Sequence, residues 1–188
     1  MTRWHAYQAL VFILPLPFAG NVDWAWSLYS LATFSLLLLE LNARFQYMKA
    51  KNLNGIVLPE TLSKALPIAA LLLSAQLITA LQLLTGLSHS QHFTYQYLIQ
   101  GLSLCAFFIL SLLLINNKER ITRIIWVIIF AAAFQAIYGA IMVLTKLEWG
   151  FFIEKPSYIS KATGTFISRN HFAGYMEMCL AIGIGFLL

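Results

Sequence analysis

The strongest constraint on the fold is the length of the uncharged runs in this chain. Residues 65–84 contain no charged side chain. A helix of that length extends about 30 Å, which matches the hydrocarbon core of a bilayer. Charged residues make up only 10% of the chain, whereas soluble domains carry about 25%. The sequence therefore predicts a membrane protein.

Similar runs recur along the chain and predict an all-α fold, a polytopic bundle of about six transmembrane helices. The predicted helices cover residues 4–19, 24–41, 65–84, 97–115, 124–144 and a last span that begins near Asn170. Gln135 and Gly139 lie on one stripe of the fifth helix, which we expect to face the bundle interior. The last span is still apolar at Leu188, so we expect it to be truncated. We interpret residues 1–188 as a single transmembrane domain that forms the N-terminal part of a longer protein.

The first predicted helix carries two prolines near its outer end, Pro15 and Pro17. Proline lacks the backbone donor and clashes with the preceding turn, so this end should be kinked or unwound. A cleaved signal peptide is the alternative, because residues 18–20 read Phe-Ala-Gly and form a small-residue cleavage site. We favour a retained helix, because a single arginine precedes the run and the next span follows almost at once.

The positions of the basic residues predict the orientation. With the N-terminus in the cytoplasm, eight of them are cytoplasmic: Arg3, Arg44, Lys49, Lys51, Lys64, Lys118, Arg120 and Arg123. Four are then outside: Lys146, Lys155, Lys161 and Arg169. This distribution satisfies the positive-inside rule, and the opposite orientation violates it. All four outer cations belong to one outer segment, residues 145–169, which indicates a local need for them.

Composition argues against several other functions. The net charge of +5 arises in short loops between apolar runs, so no solvated basic face exists to bind nucleic acid. Cys105 and Cys179 lie inside apolar runs and are typical of small packing residues. His89 and His92 have a spacing that suits a metal, but no third ligand lies near them, so we expect no metal site.

The densest group of hydrogen-bonding side chains is found in residues 161–177, where the outer segment enters the last helix. Lys161 and Arg169 precede the helix N-terminus at Asn170, whose backbone N–H groups and partial positive charge favour anions. The segment also offers three hydroxyl groups and one glycine that permits close backbone approach: Thr163, Thr165, Ser168 and Gly164. These groups predict a phosphate or diphosphate site. The alternative is a capped helix whose cations extend to the membrane surface.

Glu177 lies about 10 Å into the last helix from Asn170 and on the same face, because the two residues are seven positions apart. A carboxylate at membrane depth is costly and indicates a functional group. His171 lies beside this face. The alternative for Glu177 is a buried structural hydrogen bond.

Three short motifs lie within residues 135–183, about a quarter of the chain. They read Gln135-Ala-Ile-Tyr-Gly139, Thr163-Gly-Thr-Phe166 and His171-Phe-Ala-Gly-Tyr175. Together they resemble the O-antigen ligase and O-antigen polymerase family of bacterial membrane proteins. Many members have Asn-Arg-Asn or Asn-Pro-Asn before the third motif. This chain has Ser168-Arg169-Asn170 there and departs from the family at the first position.

The resemblance implies a glycosyltransferase that acts outside the cytoplasmic membrane. A glycan on undecaprenyl diphosphate would pass to an acceptor such as lipid A core, another repeat unit or a protein. The family needs no metal or other cofactor, so protein cations hold the diphosphate, and Arg169 matches this role. The resemblance also implies that the general base and further arginines lie in a large outer loop beyond Leu188. His171 is not assigned as the base on reach alone.

The predicted substrate-binding residues are Arg169, Asn170, Lys161, His171, Thr165 and Glu177, and the catalytic residues stay unknown. The predicted partners are the lipid-linked donor and the lipid bilayer of the bacterial inner membrane. The acceptor and the choice between ligase and polymerase are left open. One alternative function is a transporter or flippase for an anionic lipid, which would use the same cations in a polar pathway. Another is a fragment without activity of its own.

Overall fold

The computed structural model describes residues 2–17, 22–52, 59–147, 149–150, 153–154 and 157–188. These residues form six helices: α1 (Arg3–Ile13), α2 (Asp23–Ala50), α3 (Glu60–Leu84), α4 (Gln91–Leu114), α5 (Lys118–Thr145) and α6 (Arg169–Leu187). Between α5 and α6, β1 (Trp149–Gly150) pairs antiparallel with β2 (Ile153–Glu154). The predicted all-α fold is confirmed, with this short hairpin as a local addition.

Four of the helices, α2 to α5, are long and apolar enough to cross a membrane. The chain is therefore that of a multi-pass membrane protein. Helix α1 has 11 residues and extends about 16 Å, roughly half of a bilayer core. Helix α6 has 19 residues but begins with the polar residues Arg169, Asn170 and His171. The number of helices agrees with the prediction of about six, while four of them are long and apolar enough to span a membrane.

Helix α1 ends at Ile13, two residues before Pro15. Residues 14–17 form turns instead of a further helical turn. Neither Pro15 nor Pro17 can donate a helical hydrogen bond, which explains the end of the helix. The predicted unwinding is confirmed. The alternative cleavage site at residues 18–20 lies outside the described residues.

Several helices extend further into their polar flanks than predicted. Helix α2 continues to Ala50, beyond its predicted end at residue 41. Helix α5 begins at Lys118 instead of Ile124. The predicted bounds were wrong because hydropathy marks only the apolar core of a helix. Residues 42–50 contain no proline or glycine and many good helix formers, so helical hydrogen bonding continues through them.

The chain divides into two compact units. One comprises Met1–Trp4 and Ser30–Asn117, and the other comprises His5–Tyr29 and Lys118–Leu188. The first unit contains α3 and α4, which pack closely on each other. The second unit contains α5, α6 and the outer segment, and so holds every predicted site residue.

A charged cluster stabilises the first unit. Glu40 of α2 is buried, and its Oε1 accepts from Arg44 Nε at 2.7 Å, the pair expected for this spacing. Its Oε2 lies 2.9 Å from Arg3 Nη1, at the start of α1. Arg44 Nη2 also donates to the carbonyl of Leu113 at 2.7 Å, near the end of α4, where helical carbonyls lack partners. We call Arg3, Glu40 and Arg44 the Glu40 cluster.

Helices α5 and α6 pack on each other in the second unit. Near one end, the rings of Trp126 and Phe186 meet edge to face with centroids 5.9 Å apart. Gln135 and Gly139 are buried, as predicted for their stripe of α5. This buried stripe is the surface against which the outer segment is built.

Candidate functional site

The outer segment is attached to α5 at two points. Near its start, the Tyr138 hydroxyl donates to the carbonyl of Trp149 in β1 at 2.9 Å. Further along, Thr165 forms hydrogen bonds with Gln135. The two anchors on α5 are three residues apart and so lie on the same side of this helix. The segment is therefore held along one face of α5 before it enters α6.

Gln135 is completely buried, at 0% exposure, and uses both ends of its amide. Its Nε2 donates to Thr165 Oγ1 at 2.6 Å and to the Pro15 carbonyl at 3.2 Å, and its Oε1 accepts from the Thr165 backbone N–H at 2.9 Å. Thr165 Oγ1 donates in turn to the Pro15 carbonyl at 2.9 Å. Since α1 ends before Pro15, this carbonyl is available to accept both bonds. We call Pro15, Gln135 and Thr165 the Gln135 network.

Two glycines allow the segment to contact α5 through its backbone. Gly164 has φ +56°, a left-handed conformation that a side chain would disfavour. A β-carbon on Gly164 would overlap Gln135 Oε1 and lie 2.9 Å from Phe172 Cε2. On α5, a β-carbon on Gly139 would lie 3.4 Å from the Gly164 nitrogen. The close approach therefore requires a glycine at position 164, while at position 139 a β-carbon would fit only tightly.

Phe166 anchors the next step of the chain. Its side chain is buried, and its ring centroid lies 6.0 Å from that of Phe172 and 5.3 Å from that of Tyr175. Both partners belong to the first two turns of α6. Aromatic pairs at such distances add about 0.5–1.5 kcal/mol beyond the burial of their area. The segment is therefore fixed to α5 on one side and to α6 on the other.

Helix α6 begins directly after this anchored stretch. Ser168 is its N-cap, and the serine Oγ accepts from the backbone N–H of Asn170 at 3.3 Å. The Ser168 carbonyl accepts from the Phe172 N–H at 3.1 Å. Serine is favoured at this position because it satisfies a backbone donor that the helix leaves unpaired. The cap makes Arg169 the first residue of α6.

Arg169 is exposed, and its guanidinium carbon lies 5.9 Å from the ring centroid of Tyr158. Tyr158 also opens a turn in which the Lys161 N–H donates to the Tyr158 carbonyl at 3.2 Å. Tyr158 therefore contacts Arg169 with its ring and belongs through its backbone to the turn that contains Lys161.

The six predicted substrate-binding residues fall into three groups. Four share an exposed position near the start of α6 or in the turn before it: Lys161, Arg169, Asn170 and His171. Thr165 is completely buried and its hydroxyl is engaged in the Gln135 network, so we assign it a structural role. Glu177 is exposed and lies about 12 Å from Arg169 along the helix, so it is not brought together with the first turn.

Two contributors to the site are not found by sequence reasoning. The sequence indicates only a helix breaker at Pro15, whereas its carbonyl accepts from Gln135, 120 residues away. No local pattern signals a contact over that separation. Tyr158 is one aromatic residue among several in the outer segment. Its role depends on a positive φ that the sequence does not reveal.

The arrangement at the start of α6 suits an anion. The guanidinium of Arg169 presents N–H donors in one plane, and the first turn of the helix adds a partial positive charge. Within the described part of the chain, no group of three or more His, Cys, Asp or Glu side chains is arranged to hold a metal ion. The exposed side chains of Lys161, Arg169 and Asn170 offer cationic and neutral donors to a ligand.

Fold and site together define a class, a multi-pass membrane protein in which the cationic segment before α6 is fixed between α5 and α6. Neither a scan against protein-family models, nor a search of curated proteins, nor a search of solved structures found a match to this chain. A more specific function must therefore be inferred from the residues and their geometry.

Proposed function

We propose that the protein is a glycosyltransferase of the O-antigen ligase type. It would transfer a glycan from undecaprenyl diphosphate to an acceptor at the outer face of the bacterial inner membrane. The observation that carries this proposal is the meeting of three sequence motifs around one short segment, which presents Arg169 at the start of α6.

The motifs that resemble the O-antigen ligase family are separated in the sequence but share one set of contacts. Gln135 of the first motif hydrogen-bonds with Thr165 of the second. Phe166 of the second packs against Phe172 of the third. Motifs that matched by chance would have no reason to converge in this way. Their convergence supports a common structural role, in which these contacts fix the stretch of chain that leads to Arg169.

Arg169 is the residue that we expect to bind the donor. Its planar guanidinium matches two phosphate oxygens, and the first turn of α6 contributes backbone N–H groups and a partial positive charge. Asn170, His171 and Lys161 are exposed nearby in the sequence and would complete the anion site. The Gln135 network fixes Thr165, four residues before Arg169, with uncharged hydrogen bonds.

The chemistry explains why a cationic site would accelerate transfer. An acceptor hydroxyl attacks the anomeric carbon of the glycan, and the bond from that carbon to the diphosphate oxygen breaks. Undecaprenyl diphosphate leaves as an anion, and the acceptor proton passes to a general base. Donors aimed at the leaving diphosphate stabilise the charge that develops there. We assign no general base to the described residues.

The proposed orientation places the N-terminus in the cytoplasm and the segment over residues 145–169 on the outer side. The distribution of basic residues supports it, because eight of the twelve are then cytoplasmic. Trp149 at the start of the segment is half-exposed, and tryptophan is enriched at the membrane surface.

The experiment that tests this function is Arg169→Ala in the intact protein. We expect glycan transfer to fall about 10²–10³-fold, the range seen when one donor to a developing anion is removed. Transfer is measured in detergent with a purified undecaprenyl-diphosphate-linked glycan and purified acceptor. In detergent nothing has to cross a membrane, so a flippase would give no product.

The matched control is Arg123→Ala, which removes an exposed arginine whose Nη2 lies 2.5 Å from Glu119 Oε1 on α5. This variant should transfer at the normal rate. Protein amount and membrane insertion should be unchanged in both variants. Normal transfer by Arg169→Ala would contradict the assignment of Arg169 to the site. Absence of transfer by the unmodified protein would contradict the proposed function.

A further inference from the structure

The turn before the site holds Tyr158 in an unfavourable backbone conformation. Tyr158 has φ +58° and Ser160 has φ +59°, whereas bulky residues strongly avoid the left-handed region. The turn is closed by the Lys161 N–H, which donates to the Tyr158 carbonyl at 3.2 Å. Glycine would adopt this conformation without strain. The presence of a tyrosine therefore calls for a role of its side chain.

That side chain contacts Arg169. The guanidinium carbon lies 5.9 Å from the ring centroid, within the range in which an aromatic ring attracts a cation. The backbone of Arg169 is fixed by the Ser168 cap, and that of Tyr158 by the closed turn. The two side chains thus meet from two anchored backbone positions.

We propose that Tyr158 is a positioning residue for Arg169 in donor binding. This inference rests on the proposed function, in which Arg169 binds the diphosphate of a lipid-linked glycan. A ring placed over one face of a guanidinium leaves its N–H donors available, because these lie in the guanidinium plane. An arginine ordered in advance loses less conformational freedom when it binds a phosphate. The ring, and not the hydroxyl, is the group that this role requires.

A purely structural role for Tyr158 makes different predictions. Tyr158 is 38% exposed, so it is not a buried part of the core. If the ring only shaped the turn, its replacement would alter stability and the effect would not depend on Arg169. If it positions Arg169, the effect appears in donor affinity and disappears once the guanidinium is removed.

The test uses the intact protein in detergent and undecaprenyl diphosphate itself as the probe. We expect Tyr158→Phe to bind it and to transfer glycan within about twofold of the unmodified protein. Tyr158→Leu should weaken binding about twofold to fivefold, the value of a cation–aromatic contact at an exposed site. The loss should appear in the KM for donor with kcat nearly unchanged. Tyr95→Leu, at an exposed tyrosine on α4, is the control and should bind normally.

Two further variants separate positioning from folding. Tyr158→Gly relieves the left-handed strain, so its thermal midpoint should rise while its donor affinity falls. In the Arg169→Ala background, Tyr158→Leu should cause no further loss of binding. Equal losses in both backgrounds, or normal binding by Tyr158→Leu, would overturn the inference. Normal binding and transfer by Arg169→Ala would instead overturn the proposed function, so the two failures are distinguishable.

Discussion

Two of the buried polar groups in the described part of this apolar chain are stabilised in different ways. The Glu40 cluster is ionic, and its two arginines keep contact with solvent, since the side chains of Arg3 and Arg44 are 43% and 31% exposed. The Gln135 network is neutral, and both Gln135 and Thr165 have 0% exposure. A buried charge is thus found where its arginine partners contact solvent, and a buried amide is found where its partners are also buried.

This difference follows from the cost of burial. Removing a charge from solvent costs several kcal/mol of solvation free energy, which attraction to its partners must offset. Burying an amide and a hydroxyl costs less, and hydrogen bonds offset that cost when every donor and acceptor is paired.

The largest effect is expected when the neutral network is broken by Gln135→Leu. The change removes three hydrogen bonds and leaves the buried Thr165 N–H without its acceptor. We expect the free energy of unfolding to fall by about 2–4 kcal/mol, since each orphaned buried group costs about 1–3 kcal/mol. Unfolding of the intact protein in detergent, followed by increasing SDS, measures the change.

The control is Gln82→Leu, the same substitution at an exposed position on α3. Its effect should stay within about 0.5 kcal/mol, as for most surface changes. Similar losses of unfolding free energy from both variants would mean that the loss does not depend on burial of the glutamine. The hydrogen bonds of the Gln135 network would then not account for its stability.

A smaller effect is expected from Glu40→Gln in the ionic cluster. The amide keeps the shape of the side chain but gives up its charge toward Arg3 and Arg44. Because both arginines are partly exposed, solvent limits the loss to about 1–2 kcal/mol, below the range for fully buried pairs. The same SDS titration measures it.

Glu60→Gln is the matched control, because Glu60 and Lys64 form a pair with the same spacing whose side chains are 79% and 76% exposed. Such pairs contribute about 0–1 kcal/mol. If the two variants lose the same amount, burial of Glu40 does not strengthen its ion pairs. Of the Glu40 cluster and the Gln135 network, only the network would then owe its stabilising effect to burial.

The membrane class and the number of helices follow from the sequence because both depend on local composition. Uncharged runs such as residues 65–84 have no stable alternative to a helix in lipid. Helix ends follow less well, as the extension of α2 to Ala50 shows. There the polar residues are good helix formers, and hydropathy alone does not record helix propensity.

The candidate site follows from the sequence only in part. The polar residues between Lys161 and Glu177 are visible as a dense group, and the buried stripe of α5 follows from helical spacing. The interior position of Thr165 does not follow, because it depends on a carbonyl at Pro15 that is 150 residues away. Hydrogen bonds between residues so far apart in the chain depend on tertiary packing, which local sequence patterns do not predict.

The smallest expected effect, and one of opposite sign, comes from Thr163→Val. Thr163 has 0% exposure, and its hydroxyl has no hydrogen-bond partner among the described residues. Replacing it by a methyl group of similar size should raise the free energy of unfolding by about 1 kcal/mol, because an unpaired buried hydroxyl is costly. Thr165→Val, two residues away, should instead lower it by about 1–3 kcal/mol, because that hydroxyl pairs with Gln135 and Pro15. Opposite shifts in one SDS titration would show that pairing, and not polarity, makes the neutral network stabilising. Shifts of the same sign would show that the two hydroxyls share one environment.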